Sequence, residues 1–114
     1  MNGTLAGAIV VLTNVPDETV ATKIAHALVN ERLAACVNIL ARCNSLYWWG
    51  GMVERGEEVP LVIKTTTERY PEVEARIKAL HPYTVPEIIA MPIVSGAADY
   101  LAWVASETTR PVRA

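Results

Sequence analysis

The chain has 114 residues, a formal net charge of −2 and 52% apolar residues. That length suits a single domain built on one core, and the apolar content excludes a disordered chain. The lack of a basic block argues against a nucleic-acid partner held by phosphate contacts, and no apolar run approaches the roughly 20 residues of a membrane-spanning helix.

Phenylalanine is absent, so Leu, Val, Ile and Ala must fill the core, with Tyr and Trp at its margins. The segment "MNGTLAGAIVVLTN" has no basic leader, and its apolar part, residues 8–13, reads as a short buried strand, not as a signal peptide. The period then changes. In "NVPDETVATKIAHALVNER", Val20, Ile24, Ala27 and Leu28 share one helical face, and Thr19, Thr22, Lys23, His26 and Asn30 the other. Pro16, Asp17 and Glu18 suit its first turn. Two strand-like arms follow, 36–50 and 51–66, joined at Gly50-Gly51, a pair that permits the positive φ angles of a two-residue hairpin turn. Gly56 and Pro60 are candidate bulge or edge positions on the return arm. A second helix, "ERYPEVEARIKAL", has an apolar face of Tyr70, Val73, Ile77 and Leu80, with Thr67 or a neighbour as its candidate cap. "LHPYTVPEIIAMPI" is a stiff connector into a strand: Pro82 ends the helix, Pro86 rigidifies the approach and Pro92 marks a strand end. Gly96 leads to a last helix, "AADYLAWVASET", and the tail "TRPVRA" reads as frayed.

The order β-α-β-β-α-β plus a terminal helix predicts an α+β, ferredoxin-like split βαβ fold, with one domain over 1–114 and a core over about 8–107. Each hairpin arm could reach about 50 Å at full extension, far beyond a domain whose radius of gyration should be about 13 Å. The arms must therefore bend or project. The tip, "SLYWWGGMV", is aromatic, and exposed strand edges with exposed Tyr47, Trp48 and Trp49 call for a covering partner. An obligate oligomer contacting through these three residues is expected. Cys36 and Cys43 are seven apart, which on a regular strand puts them on opposite faces. They should stay unpaired in a reducing, cytoplasmic setting, and neither has zinc-site spacing.

Three stretches, "VPDETVATKIAHALVNERLAACVNI", "SLYWWGGMVERGEEVPLVIKTT" and "HPYTVPEIIAMPIVSGAADYLAWV", together resemble the CutA family of divalent-cation tolerance proteins, over residues of about 9–104. The resemblance implies a ferredoxin-like subunit, a tight homotrimer built through long hairpins and shaped like PII-type signalling trimers, and a role in tolerance of copper and other divalent metals. It implies no enzymatic activity and no organic cofactor. Metal binding in the family is linked to a cysteine near the end of the first strand and to paired histidines before the "PY". Here Thr13 and Leu80 stand at those positions, leaving His81 alone. Loss of the soft thiolate weakens any preference for Cu(I).

Among polar residues, the metal candidates, for Cu or Zn, are His81, Glu54 and Glu87. His81 has two open readings: a helix-ending residue bonded to backbone, or a ligand or proton carrier at a subunit cleft. Glu54 and Glu58 share a face of an ideal strand unless Gly56 breaks the parity. They read either as a charged edge that resists aggregation or as oxygen ligands. Lys64, inside the apolar "LVIKTT", either snorkels or pairs with a carboxylate, and a cleft in which it faces Glu87 or Glu54 would mark a binding site. Glu58, Tyr83, Tyr100 and Trp103 complete the ligand-binding candidates, the last two spaced to face one groove. No nucleophile motif, phosphate loop or cofactor fingerprint is present. An enzyme reading requires His81, a glutamate and Lys64 to converge.

Overall fold

The computed structural model describes residues 7–109. Among these residues the five strands are β1 (Ala8–Val15), β2 (Cys36–Ile39), β3 (Cys43–Trp49), β4 (Met52–Thr66) and β5 (Ile89–Pro92). The three α-helices among them are α1 (Glu18–Asn30), α2 (Tyr70–Leu80) and α3 (Ala98–Glu107). Sheet order is β2-β4-β1-β5, all neighbours antiparallel, and β3 pairs with the outer half of β4. This is the strand order of the split βαβ arrangement. No helix among the described residues is long and apolar enough to cross a membrane. The tail beyond Thr109, read above as frayed, lies outside the described residues.

Alternation along the strands decides which face is buried. Ile9, Val11 and Val15 of β1 and Val59, Leu61 and Ile63 of β4 point to one face, where they meet Ile24 and Leu28 of α1 and Val73 and Ile77 of α2. Tyr70 and Leu80 pack at the margin of this cluster, as the helical periodicity predicts. In α1 the buried stripe is Ala21, Ile24, Ala25 and Leu28; Ala27 is only half-buried, so the face is rotated from the expected one. Asp17, expected inside the first turn, instead caps it, its carboxylate accepting the Val20 N–H at 2.9 Å. No side chain caps α2. Thr67 donates to the Gly7 carbonyl, and a short 3₁₀ turn over Thr67–Arg69 leads into the helix.

Thr13 also points into this core. It is 1% exposed, and its hydroxyl has no hydrogen-bond partner among the described residues. A buried unpaired hydroxyl costs about 1–3 kcal/mol, and valine has nearly the same shape without it. Thr13→Val is expected to raise stability by about 1 kcal/mol, seen as a higher denaturant midpoint at unchanged slope. A lower midpoint would show that the hydroxyl has a partner in solution.

The second face of the sheet carries Val10, Leu12, Val62, Lys64, Ile89 and Met91. α3 packs against β4 and β1. Its buried Leu101 and Val104, with the equally buried Ala8, lie outside the main cluster, which places α3 over one end of this second face.

The hairpin both bends and projects. The turn at Gly50-Gly51 has φ of 61° and 81° and closes on the Trp49–Met52 pair, the two-residue geometry expected there. β4 runs unbroken through Gly56 and Pro60. The irregularity falls on the opposite arm: Ile39 faces Leu61 and Cys43 faces Glu58, so residues 40–42 oppose only Val59 and Pro60. Neither Gly56 nor Pro60 is bulged. The extra residue also reverses the parity argument for the cysteines. Cys36 opposes Lys64 and Cys43 opposes Glu58, both even positions of β4, so the two thiols emerge on the same face. They remain free, about 20 Å apart along the strand. The radius of gyration is 15.1 Å and the longest extent 48 Å, as an outward hairpin requires.

Candidate functional site

At the root of the hairpin, the second face of the sheet meets the connector between α2 and β5 and encloses a groove of about 740 Å³. The hairpin contributes Ser45, Tyr47, Trp49 and Glu58, β1 contributes Asn14, and the connector contributes Pro82, Tyr83, Val85 and Glu87. Each is there for a local reason. Val59 is locked in the core, so its neighbour Glu58 must face the other way. Register runs unbroken past Gly56, which sets Ser45 beside Glu58 on the same face and lays the Tyr47 hydroxyl over Gly56, 3.4 Å from where a Cβ would stand.

The connector is tied down by His81. This residue ends α2, its N–H bonding the Ile77 carbonyl, with the extended backbone (φ −82°, ψ 133°) expected before Pro82. The imidazole is 7% exposed. Nε2 lies 2.7 Å from the Asn14 carbonyl, which can only accept, and Nδ1 lies 3.2 Å from the Tyr83 N–H, which can only donate. The ring is therefore the neutral Nε2–H tautomer, with both nitrogens engaged. It packs tilted against Tyr83, centroids 4.6 Å apart, beside the groove that Tyr83 lines. In this arrangement His81 has no lone pair left for a metal.

Glu58 is held at both oxygens. Ser45 donates to one at 2.6 Å and Tyr83 to the other at 3.1 Å. Across the groove the Asn14 amide donates to Glu87 at 3.0 Å. The Tyr83 hydroxyl is pushed up to about 12, first by partial desolvation and then by the Glu58 carboxylate beside it. It stays protonated and keeps donating to Glu58. A raised phenol pKa favours the neutral folded form, so its contribution to stability is complete below about pH 10 and is lost as pH rises toward 12. Tyrosinate absorbance should therefore show Tyr83 titrating late, together with Tyr70, whose phenol pKa is also raised by burial and by Glu74. Glu58→Gln should move only the Tyr83 step down, although not fully to the ordinary value, because desolvation remains.

The other sequence-derived candidates are dispersed. Glu54 shares the Glu58 face but sits four residues outward, about 13 Å away, and exposed. Lys64 faces neither Glu87 nor Glu54. It is half-buried on the second face and donates to the Asn38 side chain, which the Cys36 thiol also approaches at 3.9 Å. Tyr100 and Trp103 pack tilted against each other on α3, centroids 5.6 Å apart, both exposed and neither lining the groove. His26 is exposed. Within one chain, then, His81, a glutamate and Lys64 do not converge. Among the described residues no three His, Cys, Asp or Glu side chains are grouped to hold a metal ion. Glu58, Tyr83 and Glu87 do meet in the groove. Asn14 and Ser45 were not anticipated: Asn14 could be suspected as the polar end of an apolar strand, whereas nothing local marks Ser45.

The family model described as CutA1 divalent ion tolerance protein matches residues 9–107. The chain belongs to this family. It is 54% identical over 99 residues to the divalent-cation tolerance protein CutA of Thermus thermophilus, covering 87% of this chain and 96% of that protein. A solved CutA1 structure from Thermus thermophilus superposes with a TM-score of 0.88 at 53% identity, over 90% of this chain and 99% of the other. The structure called periplasmic divalent cation tolerance protein CutA, from Archaeoglobus fulgidus, gives 0.87 at 35% identity over 90% and 99%. Thr13 is sealed in the core and Leu80 packs at its margin, so neither faces the groove.

Proposed function

We propose that this chain is a non-enzymatic subunit of a PII-like homotrimer that acts in divalent-cation tolerance, copper included, and that takes up a metal ion or small ligand in clefts between subunits. The observation that carries the assembly is the hairpin tip, which is apolar on both faces. Leu46 and Trp48, 72% and 74% exposed, lie on one side, and Tyr47, Trp49 and Met52 on the other. A strand pair with one wet face would alternate; this one requires cover on both. The tolerance role follows the names of the relatives. The groove at the hairpin's root supports the cleft, since a neighbour covering the tip would also border it. A metal held there would draw donors from more than one subunit, because the described residues of one chain group no complete set.

Sedimentation across dilution tests the trimer: a monomer at micromolar concentration removes this reading. Calorimetric titration of the metal-free protein with Cu and Zn tests the metal, and absence of saturable binding at micromolar levels leaves only the small ligand. No nucleic-acid or membrane partner is proposed. A cytoplasmic location agrees with two free cysteines. The Archaeoglobus fulgidus relative is called periplasmic, so cell fractionation decides.

A further inference from the structure

We propose that the groove between the hairpin root and the 82–87 connector binds a small free organic cation, an alkylammonium or guanidinium compound with an apolar stem. This rests on the small-ligand reading above and narrows it to a chemical class.

Charge is the first argument. Glu58 and Glu87 both line the groove, and every hydrogen bond described for their carboxylates comes from a neutral group: Ser45, Tyr83 and Asn14. Glu18, Glu31, Glu57 and Glu107 each pair with an arginine elsewhere on the surface, whereas no ion pair among the described residues involves Glu58 or Glu87. Two negative charges are thus oriented without being neutralised. An anionic ligand would meet repulsion from both.

Geometry is the second. Each Glu58 oxygen accepts one hydroxyl bond and has a further lone pair, so the carboxylate can still receive a forked or single N–H donor. The hydroxyls fix its orientation in advance, which lowers the cost of binding. The walls are the third. Tyr83 offers an aromatic face to a cation, and Val85 offers apolar contact to a stem. Volume is the last: about 740 Å³ falls within the roughly 300–1,000 Å³ of small-molecule sites and far exceeds a bare ion.

The test is calorimetric titration of the full-length assembled protein with ethylguanidine and putrescine, with propionate as the anionic control. Saturable binding of a cation, none of propionate, and at least tenfold weaker binding to Glu58→Gln at unchanged sedimentation are expected. No saturable binding, or equal binding to Glu58→Gln, overturns the proposal. A groove filled by a cationic side chain of a second copy would give a different pattern: neither amine binds, and Glu58→Gln weakens assembly. That too overturns a free-ligand site. Parallel Zn and Cu titrations keep the two readings apart, because metal uptake by an intact trimer without amine binding sinks this inference and leaves the proposed function standing.

Discussion

Trp49→Ala is expected to loosen subunit assembly by about thirtyfold in dissociation constant, while leaving the fold of the subunit nearly untouched. Interface aromatics commonly cost about 2 kcal/mol or more when truncated, and about 1.4 kcal/mol is a factor of ten. The asymmetry follows from the position. Trp49 is 57% exposed within its own chain and lies outside the core cluster. The turn it abuts is held by Gly50 and Gly51, not by the indole. Removing the ring thus deletes little buried area from the subunit and much from whatever covers the tip. Sedimentation over a dilution series measures the first effect and denaturant unfolding the second. If the variant stays assembled to the same dilution as the parent, the tip is not the interface. The apparent melting temperature of the variant should also fall below the parent's at equal protein concentration, because a weaker complex protects the folded state less.

The parts of the fold that were legible are those where one local rule acts alone. The stripe of Tyr70, Val73, Ile77 and Leu80 is a 3.6-residue period and lands on the core. Gly50-Gly51 needs two positive φ angles and has them. The extra residue at 40–42 was illegible, because nothing in "LAR" differs from ordinary strand, and its cost falls on register alone. The placing of the two cysteines on opposite faces, which assumes regular alternation across it, is therefore inverted. The groove was half legible. Glu58, Tyr83 and Glu87 stand out as polar residues beside prolines and aromatics. What joins them is tertiary: Asn14 reaches Glu87 across 73 positions of sequence, and Tyr83 reaches Glu58 across 25. Lys64 misled for the opposite reason. A lysine in an apolar run suggests a buried charge, but its half of β4 alternates, and Lys64 falls on the face with Asn38 rather than among the core residues. His81 was equally ambiguous until both ring nitrogens could be assigned.

Ile63→Ala should do the reverse of Trp49→Ala, on the same hairpin. Ile63 is fully buried, flanked by Val11 across β1 and Val37 across β2, and faces the helices from the centre of the sheet. Truncating such a side chain removes its burial and leaves a cavity that neighbouring strands cannot close, at about 2–5 kcal/mol. That is a large share of the about 5–15 kcal/mol that holds a domain together. The denaturant midpoint should fall sharply at unchanged slope, and Ile63→Val should cost only about 0.5–1.5 kcal/mol. Assembly is expected to weaken only as far as folded subunits become scarce, so that under conditions where the variant is fully folded it associates as the parent does. A variant that is fully folded yet dissociated would show that the core and the tip are not energetically separate. Their separation has a structural basis: β4 changes partners at Val59 and Pro60, where pairing with β1 and β2 ends and pairing with β3 begins. One side of that point is sealed under two helices, and the other carries its apolar side chains into the open. Glu58 sits at the junction, which is why a residue of the long strand can be anchored by the core and still face a groove that assembly would border.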